Sequence, residues 1–218
     1  MSLKLREPGS AITHLIGALL SACAAVPLLL HTNTSSGYTG LCAMIIFIVS
    51  MFLLYTASTT YHSLTLAPGI VKVFRKIDHM MIFVLIAGSY TPICLIVLKG
   101  TTGTIMLSVI WGLALVGILI KAFWITCPKW FSSVIYIGMG WTCVFAFVPL
   151  MNALSVAAIC WLVAGGVLYT VGGVIYALKL PLFNSKHSAF GSHEVFHLFV
   201  LAGSICHFVF MYHFVAPM

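Results

Sequence analysis

The sequence predicts an all-α membrane protein of seven transmembrane helices, with its N-terminus in the cytoplasm and its C-terminus outside. Three observations carry this. Hydrophobic residues make up 62% of the chain and charged residues only 6%, far below the roughly 25% charged that a water-facing domain carries. The apolar residues come in long runs, each near the ~20 residues that cross a hydrocarbon core. The basic residues gather at alternate breaks between the runs, the asymmetry that sets orientation.

The spans fall near 11–30, 40–64, 78–98, 102–123, 131–151, 154–178 and 193–215, one seven-helix domain over 1–218. The first follows Lys4 and Arg6, and Leu20-Ser21-Ala22-Cys23 imitates a lipoprotein cleavage box. The apolar run continues to Leu30, however, where a mature lipoprotein would turn polar, so it reads as a retained span. The polar stretch 31–39 ends it. Pro68-Gly69 lies in the break 65–77 after the second span, and Asp78 opens the third. Short breaks at 99–101, 124–130 and 152–153 part the next three spans, and 179–192 precedes the last. In hydrocarbon each span closes its own backbone hydrogen bonds, and runs this long do so as helices.

Lys4 and Arg6, then Lys72, Arg75 and Lys76, then Lys121 and Lys129, then Lys179 and Lys186 all fall on one side, with Lys99 alone opposite. By the positive-inside rule that side is cytoplasmic. The formal charge of +7 is thus a topological signal, with attraction to anionic headgroups a secondary consequence; nothing supports nucleic-acid binding. The seven cysteines are scattered singly without CxxC spacing, so no disulfide framework is expected. Gly165-Gly166 and Gly172-Gly173 share a face suited to close packing. Tyr136, Trp141, Tyr169 and Tyr176 suit interfacial positions.

The polar residues are the informative minority. There are three acids (Glu7, Asp78, Glu194) and nine histidines, and ionisable groups within spans are costly and usually functional. Ser58 and His62 close the second span, Asp78 opens the third, and the seventh opens with His193-Glu194-Val195-Phe196-His197. Glu7, Ser10 and His14 open the first. Alternating spans bring all of these to one depth, whereas His31 and His213 near the other face have no acid. His193 and His197 are four apart and stack on one helical face. With His62 they supply three imidazoles and leave a fourth position for water, the pattern of a catalytic zinc site. Asp78 stands to hold that water and take its proton. Plainer readings exist: Asp78 as a helix cap, Ser58 bonded back to its own helix, and His193 and His197 as interfacial residues. His14 has a packing or solvated reading beside a place in the site, and His79, His187 and His207 read as packing or solvated residues. His193-Glu194-x-x-His197 also spells the zinc-protease motif with Glu194 as base. A membrane-embedded protease would need a later acidic ligand, and Glu194 is the last acid, so it reads as a supporting or interfacial residue.

Thr13-His14-Leu15-Ile16-Gly17, Ala57-Ser58-Thr59-Thr60-Tyr61-His62, Lys76-Ile77-Asp78-His79 and Ala87-Gly88-Ser89-Tyr90-Thr91-Pro92 are followed by Gly138-Met139-Gly140-Trp141, the His193–His197 segment and Cys206-His207-Phe208. In order and spacing these resemble the bacterial hemolysin III family, a branch of the superfamily that includes the adiponectin receptors. The resemblance spans the chain. It implies zinc held by His62, His193 and His197, with Asp78 holding the zinc-bound water and Ser58 beside it, in a multi-pass protein of the bacterial plasma (inner) membrane. The expected function is a zinc-dependent hydrolase of a membrane-lipid amide or ester, linked to membrane-lipid homeostasis. Its alternatives are a non-catalytic zinc-containing sensor or a cytolytic hemolysin. The absence of Lys from the last span excludes a retinal protein. Members often carry Glu-x-x-Asn-x-x-x-His where this chain has Glu7, Ser10 and His14, a departure at Ser10.

Overall fold

The computed structural model describes residues 5–35, 37–178 and 190–218; Lys4, Lys179, Lys186 and His187 lie outside them. Seven helices are long and apolar enough to cross a membrane, and the described residues contain no strand. They are α1 (Pro8–His31), α2 (Thr39–Ser63), α3 (Pro68–Pro92, extended by a π-helical turn Ile93–Leu98) and α4 (Gly100–Phe123). α5 (Lys129–Gly140) continues through a tighter 3-10 segment (Trp141–Ala146) into Phe147–Ala153. α6 (Val156–Leu178) and α7 (Ser192–Phe210, then a π turn Met211–Val215) complete the set.

Local chemistry explains the ends. Pro8 and Pro68 begin α1 and α3, where the ring's fixed φ suits a first turn and no N–H is missed. Between α3 and α4 the chain reverses through Lys99 (φ 46°) and Gly100 (φ 53°); Gly adopts this left-handed conformation freely, and Lys99 bears its strain. The third helix therefore starts at Pro68, not at Asp78 as the hydropathy break suggested. Lys72, Arg75 and Lys76 lower the local hydropathy without breaking the helix, because their long stems carry charge toward headgroup level. Asp78 sits ten residues past Pro68, which removes its reading as a helix cap.

Successive helices pack side by side, and α7 closes against α1. α3 is the most enclosed span, and Phe47, Tyr55, Phe83 and Phe210 are fully buried around it. Outward, Leu30, Leu115 and Phe145 stand exposed, as expected of a surface solvated by lipid. Close approaches are made at glycines: a side chain at Gly117 would lie 2.2 Å from the Phe83 ring. The α6 glycines divide between two partners. Gly165 and Gly172 face His207 and Phe199 of α7, whereas Gly166 and Gly173 face Trp141 and Ile137 of α5.

Three of the four aromatics that suit interfacial positions turn inward, while Tyr176 lies in the last turn of α6 under the Lys129 ammonium. Tyr136 donates to the His79 carbonyl (3.1 Å), Trp141 to Thr170 (2.9 Å), and Tyr169 bonds Ser204 (2.8 Å). A polar tip inside hydrocarbon needs a partner, and these find one within the bundle. Lys121 is also turned in. It is buried, and its ammonium donates to Ser132 Oγ (2.5 Å) and Cys127 Sγ (3.1 Å).

Candidate metal centre

The last turn of α2 presents His62, and the first turns of α7 present His193 and His197. One ring nitrogen from each lies within 4.8 Å of the others. The ring centroids are 5.1 Å (His62–His193), 5.0 Å (His62–His197) and 4.5 Å (His193–His197) apart. His62 Nε2 and His193 Nδ1 are buried without a hydrogen-bond partner, an arrangement that costs ~1–3 kcal/mol per group unless something satisfies it. A transition ion would satisfy both, so the donor set fits a metal.

The outward nitrogens support the same reading. His62 Nδ1 is hydrogen-bonded to Glu7 Oε2, and that bond holds the Glu7 carboxyl below its ordinary range. Glu7 is fixed by its own backbone N–H, which donates to the His62 carbonyl (3.0 Å). His197 Nδ1 lies 3.4 Å from Thr13 Oγ1. The Thr13 hydroxyl donates to the Gly9 and Ser10 carbonyls, so it can only accept from the ring. Metal-binding imidazoles characteristically donate their second N–H in this way, which fixes tautomer and ring orientation.

The acids divide in role. Glu194 accepts from Ser10 Oγ at 2.6 Å and from the Gly191 N–H at 2.8 Å. Both of its oxygens are engaged, closing the first turn of α7 and tying it to α1, which gives Glu194 a structural role. Ser10, the departure from the family pattern, is thus what holds Glu194. Asp78 is buried on α3, its Oδ2 3.5 Å from His79 Nδ1. Ser58 is buried with no partner for Oγ. This removes the back-bonded reading, which Ser21, Ser50, Ser89 and Thr91 do follow.

Asp78, Ser58, His193 and His197 all line one cavity of about 150 Å³. Its body is apolar, walled by residues such as Leu54, Ile82, Leu85, Phe196 and Val200. The structure therefore brings the three histidines together and sets Asp78 and Ser58 on a shared wall. Sequence reasoning missed Thr13 behind His197 and brought His14 to the depth of the site without assigning it a role. His14 is buried, stacked flat on His197 at 3.7 Å and 9°. The signals for both were their place in the Thr13–Gly17 family motif and their helical phase, neither of which names a partner on α7.

Comparison with known proteins agrees in extent. Residues 3–208 match the family model described as haemolysin-III related. Hemolysin-3 of Bacillus cereus is 39% identical over 97% of this chain and 92% of its own length. A hemolysin-3 homolog of Bacillus subtilis (strain 168) is 41% identical over 93% and 91%. A shorter similarity, 37% identity over 26% of this chain and 14% of the other, reaches an adiponectin receptor protein of Drosophila melanogaster.

Proposed function

The chain belongs to the haemolysin-III family, and from that premise we propose that it is a zinc-dependent hydrolase of an amide or ester bond in a membrane lipid. The observation that carries this reading is the pairing of a three-histidine group with a partly open, mostly apolar cavity whose wall also carries an acid. His62, His193 and His197 would hold the ion, and Glu7 and Thr13 orient two of them. Zinc supplies Lewis-acid polarisation of a carbonyl and makes water acidic enough to attack at neutral pH. Asp78 is the group on the cavity wall to take the proton of an attacking water. The Ser58 hydroxyl, with no partner of its own, is a donor for charge that develops on the carbonyl oxygen. The apolar walls hold an acyl chain and keep bulk water out. The charge bias supports a location of this end of the bundle at the cytoplasmic face of the bacterial inner membrane.

Asp78→Asn tests the reading. It keeps size but removes the base, so the ion should stay while lipid turnover falls by about two orders of magnitude or more. The readouts are elemental analysis of the purified protein and mass spectrometry of released fatty acid. Full occupancy with no lipid turnover in any form would replace the hydrolase with a metal-containing sensor of the bilayer.

A further inference from the structure

Most polar groups around the cavity are already partnered. Tyr90 donates to the Gly140 carbonyl (2.6 Å), Tyr136 to that of His79, and Trp141 to Thr170. Among the described residues of its wall, Ser58, Ser133, His193 and His207 each leave one buried atom unpaired; His14 alone leaves two, and no metal explains them. It is 4% exposed, lines the cavity, and has no hydrogen-bond partner on either ring nitrogen. It is not one of the three residues whose nitrogens converge. Its ring lies flat against His197 and edge-on to Tyr55 at 5.1 Å and 80°. A phenyl ring could make both contacts without leaving polar atoms unpaired. Packing therefore accounts for an aromatic ring at this position but not for its two nitrogens, and a buried group left unsatisfied at such a cost calls for a partner.

We infer that His14 is a ligand-contact residue, hydrogen-bonding an uncharged hydroxyl or carbonyl in the head region of a lipid whose chain fills the cavity. The inference rests on the lipid reading of the cavity and adds a binding role on α1, apart from the ion and from Asp78. A neutral imidazole offers one donor and one acceptor, which matches a hydroxyl or carbonyl. Among the described residues no Lys or Arg lines the cavity, which disfavours a phosphate there. The stacking on His197 fixes the ring plane in advance, so little rotamer freedom is lost when the ligand binds.

The experiment uses metal-loaded protein in nanodiscs of neutral lipid, with a brominated monoacylglycerol as probe. In a background with Trp111, Trp124, Trp130 and Trp161 replaced by Phe, Trp141 in the cavity wall reports binding through quenching of its fluorescence. His14→Phe should retain the metal, weaken the probe about tenfold, and raise the thermal midpoint of the lipid-free protein, because it deletes unpaired buried polar atoms. His14→Gln, which restores a donor and an acceptor, should recover part of the affinity. A role in packing alone would leave binding unchanged in His14→Phe, and that result overturns the inference. Loss of metal in His14→Phe would also overturn it, assigning the nitrogens to support of the ion. Failure of the underlying lipid reading is distinguishable, because the wild-type protein would then show no saturable quenching.

Discussion

Substituting Glu7 by Gln isolates the effect of a single charge on the metal centre. Glu7 Oε2 is bonded to His62 Nδ1, and the opposite nitrogen of that ring is one of the unpaired atoms facing the other two histidines. Glutamine preserves length and an acceptor oxygen, so the imidazole keeps its tautomer and loses only the negative charge behind it. Removing such a supporting partner typically weakens metal binding 10- to 100-fold, equivalent to about 1.4–2.7 kcal/mol. The Glu7 side chain is 42% exposed, so solvent screens its charge and Glu7→Gln belongs at the lower limit. Glu7→Ala also leaves Nδ1 of an imidazole that is only 2% exposed without its acceptor, and belongs at the upper limit. Competition for zinc against a chromophoric chelator, in detergent at fixed pH, measures both. Wild-type affinity in both variants, or a milder loss in Glu7→Ala than in Glu7→Gln, would refute the supporting role.

Four further outcomes are expected. His62→Ala, His193→Ala and His197→Ala should each abolish stoichiometric metal by elemental analysis, whereas His213→Ala should not; equal losses would mean that histidine number rather than geometry governs binding. Gly117→Ala forces a methyl group against the buried Phe83 ring and should cost ~1–3 kcal/mol, seen as a lower thermal midpoint. Gly138→Ala, with nothing within 4 Å of the new carbon, should not lower it. Glu194→Gln keeps an acceptor for both Ser10 and Gly191 at different oxygens only in part, so it should lower stability slightly while leaving lipid turnover within a few-fold of wild type; turnover lost here but kept in Asp78→Asn would restore the protease-type base. A reporter after Met218 should be active only outside the cytoplasm and one inserted at 65–67 only inside, and reversed signals would overturn the orientation.

Span number and the three-histidine group were legible because both rest on strong local patterns. Long apolar runs admit few structures in lipid, and His193 and His197 are neighbours on any helix. The start of α3 was not, because hydropathy responds to Lys72, Arg75 and Lys76 while helicity does not. The inward turn of Tyr136, Tyr169 and Lys121 was also hidden, since composition reports what a residue prefers and not which partner lies across the bundle. Ser10 carries the clearest lesson. In sequence it looked like a weakened position, yet its hydroxyl holds Glu194 across 184 residues, a contact that exists only once α1 and α7 are adjacent.

That closure of α7 on α1 has a consequence for biogenesis. Helices enter the membrane in chain order, and the last to arrive brings two of the three imidazoles, while their supports Glu7 and Thr13 were placed by the first. A chain arrested before α7 emerges carries His62 and Glu7 but only one of the three imidazoles, so metal bound at this site would mark completed insertion and could not guide it. An ion held by the three histidines would tie α2 to α7, closing a loop that spans more than half of the chain. Metal withdrawal should therefore loosen the link between α2 and α7 before any other, and protease protection of the α7 N-terminus would act as a clock for maturation.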